Sequence, residues 1–220
     1  MSGRVGHVWT SAPLIVSPKA AGASYLPSVR EQQKVETRKR LFHSAMEVFC
    51  REGVSDCRIE GIARAAGVSR AAFYFHFPSK DDVLVELLVR AEAQQEVALT
   101  SLPAEADLHT VVETLIQETV ACWGDERRNV VVEAFSVTMR RTTILAGLEG
   151  GVRAALRVRF EKAASRHELS SRMPAGALAD FYLLNLFAAA ASWGGNPVGE
   201  LVDRLRGVTS VFLNGAKPVS

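Results

Sequence analysis

Apolar positions recur along this chain at three- and four-residue intervals, and no segment sustains the two-residue alternation of a half-buried strand. Leu41, Phe42, Ala45, Met46, Val48 and Phe49 form one helical face that ends at Gly53, a C-cap, and a capping-box pair, Ser28 and Glu31, marks its start. Ile62, Ala63 and Ala66 define a short second helix over 59–66. The turn Gly67-Val68-Ser69 leads at once into a third helix over 70–77, which Pro78 stops. Ser79 and Asp82 open a fourth, striped by Val83, Leu84, Leu87, Leu88 and Ala91 and reaching about Leu99.

Beyond Pro103 the helical period continues. Asp107 caps a helix with Leu108, Val111, Val112, Leu115, Ile116 and Val120 inside, ending at Trp123 and Gly124. Asp125 caps the next, with Val131, Ala134, Phe135 and Met139 on one side. A longer helix from about Thr143 to His167 aligns Leu145, Leu148, Val152, Leu156, Phe160 and Ala163. Residues 175–193 are apolar on nearly every side, and such a helix must be buried all round, either in its own domain or against a partner. The break Gly194-Gly195-Asn196-Pro197 then reverses the chain into a last helix over 198–213 with Leu201, Leu205, Val208 and Phe212 on one face. A helical hairpin of this kind can pair with its copy in a four-helix interface, and replacing Leu184 and Phe187 with Glu would break that pairing. The predicted fold is all-α, about nine helices: a three-helix helix-turn-helix head over 28–95 and a larger body over 96–213. A flexible N-terminal arm over 1–27 and a tail over 214–220 flank them.

Composition adds limits. At 220 residues, 48% hydrophobic and 23% charged, the chain can bury a substantial core. Its longest apolar run, Leu186 to Ala191, is far short of the roughly 20 residues of a membrane span. The stretch at 12–16 is too short for a secretory signal, so a cytoplasmic location is expected. Three cysteines form no CxxC pair and five histidines no zinc-like spacing, so neither metal nor cofactor is predicted. Cys50 and Cys57 read as small core residues rather than a redox switch. Charge is uneven: residues 1–80 hold 12 Lys and Arg against 6 Asp and Glu, a balance of +6, whereas 81–220 hold 14 against 18, a balance of −4. A basic head on an acidic body suits approach to a polyanion.

The third helix tests that idea. At 100° per residue from Phe73, Phe77 lies about 40° away and His76 about 60° the other way, while Ala71, Ala72, Tyr74 and Phe75 lie about 100° or more off. Phe73 and Phe77 therefore face inward, and the opposite face can enter a DNA major groove. Ala71 and Ala72 let the backbone approach base edges, Phe75 suits a thymine methyl, Tyr74 a phosphate, and the fork of Arg70 the O6 and N7 of guanine. Lys80, beside the next helix N-terminus, and the run 37–40, Thr-Arg-Lys-Arg, are candidates for backbone phosphate.

The stretch from Arg58 to Leu88 resembles the DNA-binding head of the TetR family, through its AGVS turn, the trio Tyr74, His76 and Phe77, and Ser79-Lys80 followed by Asp82 and Leu84. The phrase FYFHFPSK is similar to the ethionamide-resistance-repressor branch. The resemblance covers residues about 35 to 95. It implies that Arg70, Ala71, Ala72, Tyr74, Phe75, His76 and Lys80 are DNA-contacting positions, that the last two helices make a homodimer, and that the middle helices enclose a ligand pocket. Cys57 stands where the family usually has Thr, so Asp56 is the substitute cap expected, and Ala71 replaces a frequent Gly.

No motif marks the ligand. Trp123, Phe135, Met139, Phe160, Tyr182 and Trp193 are candidates for an apolar cavity, with Asn185 as a buried amide that orients an effector. The function expected is a ligand-responsive regulator, a repressor that binds a palindromic operator on double-stranded DNA as a dimer and is released by a small apolar effector. The alternative is a helix-turn-helix regulator or adaptor with no ligand. An enzyme is not expected, because Glu113, Glu133 and His167 have no partners at a spacing that predicts a site.

Overall fold

The computed structural model describes residues 28–123, 127–140, 151–169, 173–194 and 196–216, which hold nine α-helices and no strand. They are α1 (Val29–Glu52), α2 (Ile59–Ala65), α3 (Arg70–His76), α4 (Lys80–Ser101), α5 (Leu108–Trp123), α6 (Arg128–Arg140), α7 (Val152–Ser165), α8 (Ala175–Ala191) and α9 (Val198–Ala216). The expected arm over 1–27, the caps at Gly124 and Asp125, the helix start with Leu145 and Leu148, Gly195, and residues 217–220 lie outside the described residues.

The helix ends follow local chemistry. At α1 the Ser28 hydroxyl accepts from the Glu31 amide at 3.3 Å and the Glu31 carboxylate accepts from the Ser28 amide at 2.8 Å, the reciprocal box predicted. Gly53, at φ +83°, donates its amide to Phe49 O at 2.9 Å, a conformation that a side chain would strain. The Asp107 carboxylate accepts from the Thr110 amide at 2.7 Å, as a cap should. Two expected caps differ. Ser79 donates its hydroxyl to the Asp82 carboxylate at 2.6 Å instead of accepting from the backbone. No side chain caps α2, whose N-cap is Arg58, so Asp56 does not replace the missing Thr.

Buried residues from Leu41 on α1 to Ala216 on α9 form one continuous core. α1, α2 and α3 pack together, while α4 leaves them to pack against α5, α6 and α7, and α8 lies between α7 and α9. α4 spans 22 residues, about 33 Å, and is the element that belongs to both ends of the molecule. α8 is not buried on every side, contrary to its composition: Leu178, Ala179, Tyr182, Leu186 and Ala190 are inside, but Phe181 is 54% exposed and Leu184 is also exposed. On α6, Val131, Ala134 and Phe135 are inside as expected, and Met139, 61% exposed, is not.

Candidate nucleic-acid interface and ligand cavity

The turn between α2 and α3 is set by two residues. Gly67, at φ +65°, turns the chain out of α2, so that the Val68 amide reaches Ala63 O at 2.9 Å. Ser69 then caps α3, its hydroxyl accepting from the Ala72 amide at 3.1 Å. The resulting helix has the two faces its sequence predicts. Phe73 and Phe77 are fully buried with ring centroids 6.0 Å apart. Arg70, Ala71, Tyr74 and Phe75 are exposed, Phe75 at 70%, and Ala72 is half-buried.

Charged groups are arranged around this face. Arg70 Nη1 lies 2.8 Å from Glu60 on α2, and its guanidinium sits 5.6 Å from the Tyr74 ring centroid. The Tyr74 hydroxyl, then Glu60, push the Arg70 pKa further above its ordinary value. Lys34 Nζ stands 5.2 Å from the centroid of Phe75, which places the start of α1 beside the exposed ring.

Three candidates take other roles. Lys80 Nζ donates to Val54 O at 2.6 Å, Ser55 O at 3.1 Å and Cys57 O at 3.0 Å, which uses all three ammonium donors to close the α1–α2 loop and leaves none for phosphate. His76 is 8% exposed, and its Nδ1 has no partner among the described residues. Burial, then Arg38 and Lys34, lower its pKa, so the ring is neutral at pH 7 and faces the protein. Arg38, within the basic run 37–40, donates to Glu86 at 2.7 Å and to the His76 carbonyl, so it braces the head from inside. Charge alone cannot separate such bracing cations from surface ones; the path of the loop and the end of α3 decide it.

Behind α4 lies a cavity of about 480 Å³. Val85, Leu88, Glu92 and Gln95 of α4, Leu115, Thr119 and Trp123 of α5, Phe135 and Thr138 of α6, and Leu183, Leu184 and Phe187 of α8 line it. Phe135 stacks edge-on to Trp123 and to Phe187, each 5.0 Å between centroids. Gln95 Nε2 donates to Thr119 Oγ1 at 2.9 Å, whereas Trp123 Nε1 and Thr138 Oγ1 are buried without partners among the described residues. Arg153 and Asp180 stand at its edge, joined Nε to Oδ1 and Nη2 to Oδ2, both at 2.8 Å. Burial pushes the Glu92 carboxyl above the usual range, and Glu96 adds to this.

Residues 41–87 match the sequence profile of the bacterial regulatory proteins of the tetR family. The head belongs to the tetR family. Similar relatives are the HTH-type transcriptional regulator SrpR of Pseudomonas putida, 45% identical over 65 residues, which are 30% of each chain. The HTH-type transcriptional regulator EthR of Mycobacterium tuberculosis is 36% identical over 77 residues, 34% of this chain and 36% of EthR. The matches span about a third of the length of these two relatives. Over 81% of this chain and 94% of the other, the fold is similar to Thermus thermophilus FadR, a TetR-family transcriptional repressor solved with lauroyl-CoA, at TM-score 0.57 and 21% identity.

Of the residues expected to hold a ligand behind this tetR-family head, Trp123 and Phe135 line the cavity and the others do not. Met139 faces outward. Phe160 and Tyr182 pack with Phe212, and the Tyr182 hydroxyl pairs with Thr209 Oγ1 at 2.8 Å. Trp193 donates to Pro197 O at 3.3 Å. Asn185 is half-buried rather than buried, and Nδ2 donates to Phe181 O at 2.7 Å, one turn back along its own helix. Glu92, Gln95, Thr119 and Thr138 escaped the sequence reading. Gln95 had a signal, since it falls in the buried register of Leu84, Leu87, Ala91 and Leu99.

Proposed function

We propose that this chain is a cytoplasmic, ligand-responsive transcriptional regulator, a repressor that binds a palindromic operator as a homodimer and leaves it when a small, largely apolar effector fills the cavity. The observation that carries the DNA half is the division of α3, with Phe73 and Phe77 locked inside and Arg70, Ala71, Tyr74 and Phe75 presented together. In this reading Arg70 reads guanine, Phe75 meets a thymine methyl, Tyr74 reaches phosphate, and Ala71 and Ala72 permit close approach. His76 and Lys80 hold the reading helix in place.

The ligand half rests on α4. Its first residue, Lys80, closes the head loop, Glu86 pairs with Arg38, and the residues from Val85 to Gln95 form one wall of the cavity. An effector that fits only one setting of that wall shifts the head by as much as its affinities for the two settings differ. FadR, of similar fold, was solved in complex with lauroyl-CoA, which supports a ligand for this chain too, and a cavity of this size argues against an adaptor without one. The chemistry is binding, not turnover.

The test begins with selection of bound DNA from random oligonucleotides. The recovered site should be an inverted repeat, and Arg70→Ala should weaken binding to it by about 10- to 100-fold at fixed salt while relaxing preference at one base pair per half-site. Unchanged affinity and preference in Arg70→Ala would remove the readout role.

A further inference from the structure

We propose that the cavity takes a ligand with a basic amine on an apolar body, and that Glu92 is the group that receives the amine. The inference rests on the cavity being the effector site. A packing void is lined by hydrocarbon and stays dry. This one has a carboxylate in its wall, and two further wall residues, Trp123 and Thr138, carry buried polar atoms without partners among the described residues.

The charges in the wall are not equivalent. Arg153 and Asp180 neutralise each other through two 2.8 Å hydrogen bonds, and Arg157 adds a further pair to the same carboxylate. Arg153 is thus already held by a carboxylate, while two guanidiniums on one carboxylate leave the edge of the cavity one positive charge in excess, so the pull on a cation is assigned to Glu92 alone. Glu92 has no hydrogen bond or ion pair among the described residues, and the charge acting on it, Glu96, has the same sign. A half-buried carboxylate without a counterion is costly, and a cation arriving with a ligand offsets that cost. The wall also holds Trp123, Phe135 and Phe187, with Phe135 edge-on to each of the other two, and an aromatic face attracts the same cation. Leu88, Leu115 and Leu183 are among the aliphatic residues of the wall and accommodate the body of the molecule.

The experiment compares three probes of one chain length, dodecylamine, dodecanol and dodecanoate, by titration calorimetry at pH 7 below their micelle concentrations, on the full chain and on Glu92→Gln. The amine is expected to bind wild type at least about tenfold more tightly than the alcohol, the strength of one charge-assisted contact. Glu92→Gln should erase that margin and leave the alcohol's affinity in place. Equal affinity of amine and alcohol, tightest binding by dodecanoate, or an amine preference that survives Glu92→Gln would overturn the proposal while leaving the cavity as a ligand site. Failure of all three probes to bind would overturn the cavity reading with it. Should Glu92→Gln not fold, the wild-type ranking of the three probes decides.

Discussion

The carboxylate of Glu86 ties α1 to α4 and, through Arg38, to the end of α3. One oxygen accepts from Arg38 at 2.7 Å, the other from Arg90 at 2.9 Å, and the two guanidiniums lie 4.1 Å from the rings of Phe77 and Phe42. Burial raises the Glu86 pKa, but the hydrogen bonds from Arg38 and Arg90 outweigh it, and the net shift is downward. A carboxyl lowered in the folded state stabilises above its unfolded value, near 4.5, and loses that contribution as the pH falls through the folded value. Glu86→Gln is therefore expected to cost about 2 kcal/mol in urea denaturation at pH 7 and to flatten the loss of stability below about pH 4.5. At this scale the inward and outward residues of α3 were legible, because 100° per residue separates two phenylalanines from two alanines without reference to the rest of the chain. The tasks of Arg38, Lys80 and Glu86 were not, because their partners, Arg90 apart, are backbone carbonyls and side chains 23 to 48 positions away. Asn185 failed for the opposite reason: its amide is satisfied by Phe181, its own neighbour, which a search for distant partners passes over.

α4 shows how an element can be fixed at both ends. Lys80 anchors its start, and at its far end the buried guanidinium of Arg159, on α7, donates to Leu99 O at 2.9 Å and Pro103 O at 2.6 Å, with Thr100 O and Leu102 O also in reach. Leu99 O and Thr100 O, in the last turn, lack helical partners because the helix stops there, so one arginine replaces a C-cap. Arg159→Met, similar in length but unable to donate, should leave them unsatisfied and lower the urea-derived stability by about 2–3 kcal/mol. Helix positions were largely legible from period and capping residues, and α1 and α5 fall within a residue or two of their predicted ends. Arg159 was hidden because its neighbours Leu156 and Phe160 define the inner face, and a charged residue between them reads as solvated until the end of α4 is known to lie against it.

At the scale of the whole molecule, the apolar residues left outside are as informative as the core. Phe181 on α8 and Val211 on α9, 76% exposed, lie on the helical hairpin whose composition predicted a partner, and Gly207 on α9 leaves room for close approach. Leu184 and Phe187 are poor probes of that surface, because both line the cavity. The double variant Phe181→Glu, Val211→Glu tests it cleanly: sedimentation should show monomers where the parent chain shows dimers, with the helical content kept. The all-helical plan and the head were evident from sequence because they depend on local period and a compact motif. The cavity was not, because it is formed by residues from six helices that converge only when the core is assembled. The exposed stripe on α8 and α9 has a further consequence for dosage. If it is what joins two chains, a pair of reading heads exists only as a bimolecular product, so at low abundance operator occupancy rises with the square of the amount of protein. Halving the supply then cuts occupancy to about a quarter, and the promoter answers to small changes in the regulator's own synthesis before any effector arrives.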